Sequence, residues 1–518
     1  MQTPPAINIS ILLIPVLFGK SMNSSDKVVI EDEINLTKER PLPVSENNFI
    51  IDKEITDGSP KGFITVNNKK QEVTKLELLN LIDLTKKNIV DKPSAWRTVY
   101  AKQMFLNEFR ELVNGVFQAE GHIGGYFPSA STITFRPLVF ISQNASDSSI
   151  EFLSLLWLIL DKNFKFAIYQ NESSKYFHIR IYTRDWDFII KKLIPYFSLV
   201  YGDKFKGFIR LKKIFDLLIR PRLTEGEGQK KSNLLSPPSK VRIINLAYNL
   251  VDNPRKKTLI SDKIFSVLGE TNCSEYSDNI ETYPDNRKSL SILFIFGFLL
   301  GDGNFSIRIR DTKTGVWFIP IIRLEQKDTL DNSNLLNNIE KYLNKLNIKG
   351  RIHRYAKTHN SSHIVFTIDN KTSVHNFFNI IKKHRELFFW KKEQLELILK
   401  SFIIMSVAAR HWKESQIALL RVLYNNNSNR EFSFNYWEKR LVELYVERKK
   451  ASTSNEFYIT MSKNVAWAVN LPVALKMKPK TKYFFFKTYN NSKEKAFNAA
   501  IEYRNTHLNN WLIDKGLK

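Results

Sequence analysis

The chain has 518 residues, 43% of them hydrophobic, with 78 Lys and Arg against 52 Asp and Glu for a net charge of +26. That hydrophobic share excludes wholesale disorder, and the basic excess points to a polyanionic partner, nucleic acid above all. Cys273 is the one cysteine, which excludes an internal disulfide framework and a zinc site built on cysteine clusters; the 9 His show no ligand-spaced grouping.

The length accommodates about three domains. Residues 1–100 read as a leader and an irregular arm. The apolar run from Ile11 to Phe18 contains Pro15 and is far shorter than the ~20 residues of a bilayer span, and no Lys or Arg precedes it as in a signal peptide. Without a long basic amphipathic helix either, no membrane partner is expected. Residues 20–70 are polar and turn-rich and are expected to be poorly ordered, whereas 74–90 suit a short helix with Leu76, Leu79, Ile82 and Leu84 inward.

A first domain, 101–221, opens with an apolar helical run that ends Val113-Asn114-Gly115-Val116-Phe117-Gln118-Ala119-Glu120-Gly121. Strands are expected over 123–127 and 132–142, then a helix capped at Asp147-Ser148 with Ile150, Leu153, Trp157 and Leu160 on one face. Two alternating strands, 164–170 and 175–182, precede helices around Trp186 to Phe197 and Phe208 to Ile219. A linker, 222–287, holds a Gly-, Ser- and Pro-containing stretch at 225–239 and short elements over 241–250 and 263–268. The second domain, 288–410, repeats the order: a helix ending Ile295-Phe296-Gly297-Phe298-Leu299-Leu300-Gly301-Asp302-Gly303, two strands, a helix, two strands and further helices.

Both helix endings put small residues four apart on one face, Gly115 with Ala119 and Gly297 with Gly301, then an acid, then glycine. Glycine inside a helix costs roughly 1 kcal/mol against alanine, so it asks for a compensating contact. Packing the two helices backbone to backbone supplies one. Gly121 and Gly303 sit where left-handed C-caps would fall. Glu120 and Asp302 then face the negative ends of their helix dipoles, a penalty that a shared divalent cation would reverse.

This doubled pattern resembles the LAGLIDADG family of homing endonucleases and intron maturases. The resemblance implies an α+β fold: a pseudo-symmetric pair of αββαββα halves whose motif helices meet above a saddle of antiparallel strands that grips double-stranded DNA, in a monomer acting as a pseudodimer. It puts Glu120 and Asp302 on the catalytic acids, with Mg²⁺ as cofactor held by these acids and by Gly121 and Gly303. Glu120 is a glutamate variant of the motif, and the 182-residue spacing from 120 to 302 implies an insertion. Gln143 and Gln326, 23 and 24 residues past their acids, match the family's strand-end glutamines, and Arg184 and Lys371 are the candidates for its basic residues. Alternating strand arginines, Arg136, Arg180, Arg308 and Arg310, together with Arg323 and Arg351, would face the DNA. The family also contains maturases that bind a group I intron RNA.

The remaining 411–518 suits helices around 413–424 and 435–449, three strands and a helix with Ala496, Ala499, Ala500 and Tyr503 on one face. With Trp467 and Phe486 as landmarks, this ββ(β)α stretch resembles the integrase and ethylene-response-factor type of DNA-binding module, with Lys476, Lys478, Lys480 and Lys482 as phosphate contacts. The expectation is therefore a DNA endonuclease that spreads a group I intron, or a maturase for that intron. Heavy Asn, Lys, Ile and Phe usage suits an AT-rich organellar genome, the mitochondrion first and the chloroplast second.

Overall fold

A computed structural model describes residues 61–66, 69–91, 103–127, 134–160, 162–170, 175–218, 237–250, 290–312, 315–358, 361–407, 413–426, 432–451, 458–471 and 481–514. The leader through residue 60, the element expected at 263–268, and Lys476, Lys478 and Lys480 lie outside the described residues. Two compact units divide the chain: Met1–Asn107 with Ser142–Thr183, and Glu108–Ile141 with Arg184–Lys518.

In the first unit, part of the segment expected to be poorly ordered is a hairpin of β1 (Lys61–Val66) and β2 (Lys69–Thr74), paired antiparallel. Its first strand hydrogen-bonds onward, Phe63 N to Lys175 O at 2.8 Å and Thr65 N to Ala145 O at 3.0 Å, which gives a short polar stretch its order. Helix α1 (Lys75–Asp91) buries Leu78, Ile82 and Ile89. This corrects the expected face, because Leu76 and Leu84 are exposed: residues at i, i+4 and i+11 set the stripe that packs on α3 (Asp147–Ile159). The cap of α3 is Ser146, one residue before the expected pair, in a reciprocal hydrogen-bonded box with Ser149. Strands β5 (Lys165–Gln170) and β6 (Phe177–Thr183) pair antiparallel, and Lys86 lies over the rings of Trp157 and Phe166.

Helix α2 (Gln103–Glu120), in the second unit from Glu108 onward, runs directly into β3 (Gly121–Tyr126), which pairs with β4 (Arg136–Asn144), in the second unit as far as Ile141. The strand expected from 132 thus begins at Arg136. After three short helical pieces over 186–196, α4 (Gly202–Leu218) starts six residues earlier than expected, from Gly202 at φ +53°, a left-handed turn suited to glycine. Helix α5 (Pro237–Tyr248) reaches back into the stretch expected to be flexible. Helix α6 (Ile292–Asp302) passes straight into β7 (Gly303–Thr312), followed by β8 (Gly315–Lys327), α7 (Leu330–Lys345), β9 (Arg351–Thr358), β10 (Ser361–Ile368), α8 (Lys371–Ile381) and α9 (Lys392–Val407).

The duplication is explicit in the strand orders, β3-β4-β6-β5 in one sheet and β7-β8-β10-β9 in the other. Both run first, second, fourth, third, with an acid-ended helix leading each first strand.

Helix α6 is buried from Leu293 to Leu300, with Phe296 against Phe377 and Phe388. Helices α10 (Lys413–Asn426) and α11 (Phe434–Ala451) are built onto the β7–β8 hairpin: Leu420, Trp437, Leu441 and Leu444 form a core with Val316, and Arg440 Nε lies 3.0 Å from the Asp311 carboxylate. The last module is a sheet of β11 (Ile459–Ser462), β12 (Ala466–Asn470) and β13 (Thr481–Phe485), covered by α12 (Lys493–Asp514). Its third strand stops at Phe485, because Phe486–Tyr489 turns as a 3-10 helix. Among the described residues no helix is long and apolar enough to cross a membrane.

Candidate active site at the paired helix ends

The two motif helices touch through their small residues. A carbon added at Gly115 would stand 2.0 Å from Phe294 O, one at Gly297 would stand 1.9 Å from Leu112 O, and one at Gly301 would stand 2.2 Å from Ala119 Cβ. Only hydrogen at these positions permits so close a crossing, and the crossing brings the acidic ends together. Glu120 Oε1 lies 3.5 Å from the point where a Gly301 side chain would begin, one residue before Asp302.

The expected left-handed caps are not what glycine serves here. Gly303 is extended, at φ −79° and ψ 148°, and Gly121 is not among the residues of positive φ. Each helix passes into its strand without a reversal, and the reason for glycine is contact: added carbons would lie 2.4 Å from Phe117 O and 2.3 Å from Leu299 O.

Asp302 accepts a hydrogen bond from Gln326 Nε2. Burial lifts its carboxyl above the ordinary carboxylate range, against the pull of the Gln326 bond and the Lys391 and Lys204 charges. Lys391 stands at the centre of the arrangement. Its Nζ donates to Leu299 O at 2.9 Å, Gly301 O at 2.8 Å and Gly303 O at 2.5 Å, collecting the carbonyls that a helix C-terminus leaves unpaired. Burial pushes its pKa down to about 8, while the charges of both Asp302 and Glu120 pull it up. The neighbouring Trp390 Nε1 donates to Leu300 O at 2.9 Å. In the first half Lys204 Nζ donates to Gly121 O.

Lys204 and Lys391 escaped sequence reading. Each follows its acid at a similar interval, 84 residues from 120 to 204 and 89 from 302 to 391, one helix later than the positions expected to carry the basic group. A second signal was legible in principle: Arg110, Asn114 and Gln118 recur every four residues along one side of α2. Arg110 Nε donates to Tyr196 O at 3.0 Å and Asn114 Nδ2 donates to the same carbonyl at 3.0 Å. Asn114 Oδ1 accepts from Leu199 N at 3.0 Å and Gln118 Oε1 from Tyr201 N at 2.7 Å. These polar groups pin the segment that delivers Lys204.

Arg184 and Lys371 stand elsewhere. The Arg184 guanidinium lies 5.5 Å from the Tyr126 ring centroid, at the end of β3 remote from Glu120, about 17 Å along the strand. Lys371 is exposed and opens α8 beyond Ile368, the β10 residue that pairs with Ile322, whereas Gln326 pairs with Ile364 nearer the other end of that ladder. In the first unit, Gln143 Nε2 is buried without a hydrogen-bond partner among the described residues.

The candidate nucleic-acid contacts of the second half share one sheet face. Register sets Asn304 beside Arg323, Arg323 beside Thr367, and Thr367 beside Arg351, and the same face of β7 carries the exposed Arg308 and Arg310. Arg351 is ion-paired with Asp369. Arg136 is exposed at the start of β4 opposite Tyr126, and Arg180 lies with its guanidinium 4.7 Å from the Tyr169 ring centroid.

No group of three or more His, Cys, Asp or Glu side chains among the described residues could hold a metal ion. Two convergent carboxylates do suit a hard divalent cation whose other positions are filled by water or phosphate oxygen, and a cation would offset the burial of Asp302. The carbonyls of Gly121 and Gly303 are already engaged by Lys204 and Lys391.

The fold and the site define a duplicated αββαββ protein with an acidic centre where two glycine-bearing helices cross. Residues 295–394, within the second half of the duplication, match the family model of the LAGLIDADG endonuclease. No curated protein matches the chain. It is similar to the meganuclease I-SmaMI bound to uncleaveable DNA with a TTGT central four, at 14% identity over 62% of this chain and 97% of that one, TM-score 0.47. A second likeness is to the I-LtrWI LAGLIDADG homing endonuclease bound to target DNA, at 17% identity over 62% and 99%, TM-score 0.48. A third is to I-SmaMI bound to uncleaved DNA target in the presence of calcium ions, at 15% identity over 62% and 98%, TM-score 0.47.

Proposed function

We propose that this chain is a divalent-metal-dependent DNA endonuclease, of the homing type, that breaks both strands of a long non-palindromic site and so spreads a host group I intron. The observation that carries this reading is the helix crossing that only glycine allows, which sets Glu120 Oε1 3.5 Å from the point where a Gly301 side chain would begin, one residue before Asp302. The family match of residues 295–394 supports it.

Glu120 and Asp302 would hold Mg²⁺, which when bound polarises a phosphodiester oxygen and acidifies water. Gln326 fixes the orientation of the Asp302 carboxylate. Lys391 and Lys204 keep the helix-end carbonyls turned inward and add positive charge where an anionic phosphate must enter a site that already holds two acids. The arginine-bearing sheet face would divide into phosphate clamps and base readers. Because the two halves differ in sequence, the two half-sites would differ as well.

The test is cleavage of DNA spanning the intron insertion point by the purified chain with Mg²⁺. Glu120→Gln and Asp302→Asn should each abolish the double-strand break while leaving duplex binding in place. Uncut DNA alongside tight binding to the intron transcript would overturn the nuclease reading in favour of a maturase.

A further inference from the structure

Helix α12 packs on one face of the C-terminal sheet. Register sets Trp467 opposite Phe484, and both rings point at the helix: Trp467 Nε1 donates to Lys493 O at 2.9 Å and its ring lies 4.7 Å from Phe497, while Phe484 lies 5.6 Å from Tyr503. The alternate residues therefore face the opposite way, with Ala466 beside Phe485, Ala468 beside Tyr483 and Asn470 beside Thr481.

Tyr483 and Phe485 are 49% and 50% exposed, whereas Trp467 and Phe484 are each 8% exposed. The first pair is thus no part of the core that holds the module together. Their rings stand 5.9 Å apart and 24° from parallel, a near-parallel pair on the edge strand beside the buried Ala466 and Ala468. Thr460 and Ser462 pair with those alanines from the other edge strand and add hydroxyl groups.

Charge selects the occupant. Residues 457–493 contain lysines and no Asp or Glu. Lys463 and Lys487 are exposed at the end of the sheet where Phe486 N donates to Val465 O, and the acids Glu494, Glu502 and Asp514 all belong to α12 on the covered side. A protein partner's interface core is depleted of lysine, while a polyanion is drawn to it. A duplex keeps its base faces inside its own stack, so half-exposed rings have nothing to stack on; unpaired bases present theirs.

We propose that the exposed edge of this sheet face, at Tyr483 and Phe485, binds single-stranded nucleic acid, with one base stacked on Tyr483, the next on Phe485, and phosphates led to Lys463 and Lys487. The proposal does not rest on the nuclease reading.

The experiment uses the full chain and the double variant Tyr483→Leu with Phe485→Leu, which keeps apolar bulk and removes the π faces. Fluorescence anisotropy with oligouridine and oligothymidine of about twelve nucleotides should show a loss of roughly tenfold for each ring removed. Photo-crosslinking of the wild type with a thiouridine-containing oligomer should label the peptide carrying Tyr483 and Phe485. Duplex cleavage and the melting temperature should stay as in the wild type. Tighter binding of the uridine oligomer assigns RNA through its 2′-hydroxyls, and equal binding assigns strand recognition blind to the sugar. Unchanged affinity in the variant, crosslinks confined to other peptides, or equal displacement by a duplex of the same length would each overturn the proposal.

Discussion

Replacing Gly297 by alanine sets two effects of opposite sign against each other. Alanine is the better helix former by about 1 kcal/mol, so at an uncrowded position the change would stabilise. Here the new carbon would lie 1.9 Å from Leu112 O and 2.9 Å from Val116 N. Both are backbone atoms of the facing helix, so no rotamer change relieves them. Restoring ordinary contact, which begins near 3.4 Å, requires the helices to part by about 1.5 Å. Overpacking of a close-packed core costs roughly 1–3 kcal/mol, with backbone clashes at the upper end. After the propensity gain, a net destabilisation of about 2 kcal/mol remains. The same separation moves Glu120 away from Asp302, so cleavage measured well below the melting temperature should fall by more than stability alone explains. Thermal or urea unfolding beside a target-cleavage assay reads both. A Gly297→Ala chain that melts at or above the wild type would refute the reasoning, because propensity would then have outweighed contact.

Gly301→Ala should also destabilise, since its carbon would meet Ala119 Cβ at 2.2 Å, and adding Ala119→Gly should recover part of the loss; additive melting shifts in the double variant would count against the contact. Gln118→Ala strips Tyr201 N of its acceptor at 2.7 Å, at a cost of about 1–3 kcal/mol in urea unfolding, and should slow cleavage by loosening the segment that delivers Lys204; unchanged cleavage would assign Gln118 to stability alone. Arg308→Ala should weaken duplex binding and, for a phosphate contact, lower the salt slope by roughly one, whereas an unchanged slope with altered site preference would make it a base reader. Burial holds the His384 imidazole below its ordinary range despite the Glu108 carboxylate, so the folded chain binds fewer protons than the unfolded one. Stability should therefore decline as pH falls through about 6.5, and His384→Asn should flatten that limb of the melting-temperature profile.

The doubled motif was legible because its information is local. Gly115, Gly297 and Gly301 are costly in a helix wherever the chain goes, and the alternation of Phe305 and Ile307 with Ser306 and Arg308 marks a two-faced strand without reference to anything distant. Two copies of one local order also implied two similar sheets, and their strand orders agree. Where the chain returns to is a different kind of fact. Lys391 reaches the helix end across the 88 residues that separate it from Gly303, and Lys204 reaches Gly121 across 83, so no periodicity marks either one. The inward face of α1 was decided by the helix it packs against, and the role of Gly303 by the crowding of Leu299 and not by its own φ. Sequence by itself determined that two acids end matched helices leading into alternating strands, since propensity and periodicity act over a few residues. Tertiary structure alone decided which cations stand beside those acids, because that depends on the closure of long loops, which local preference does not encode.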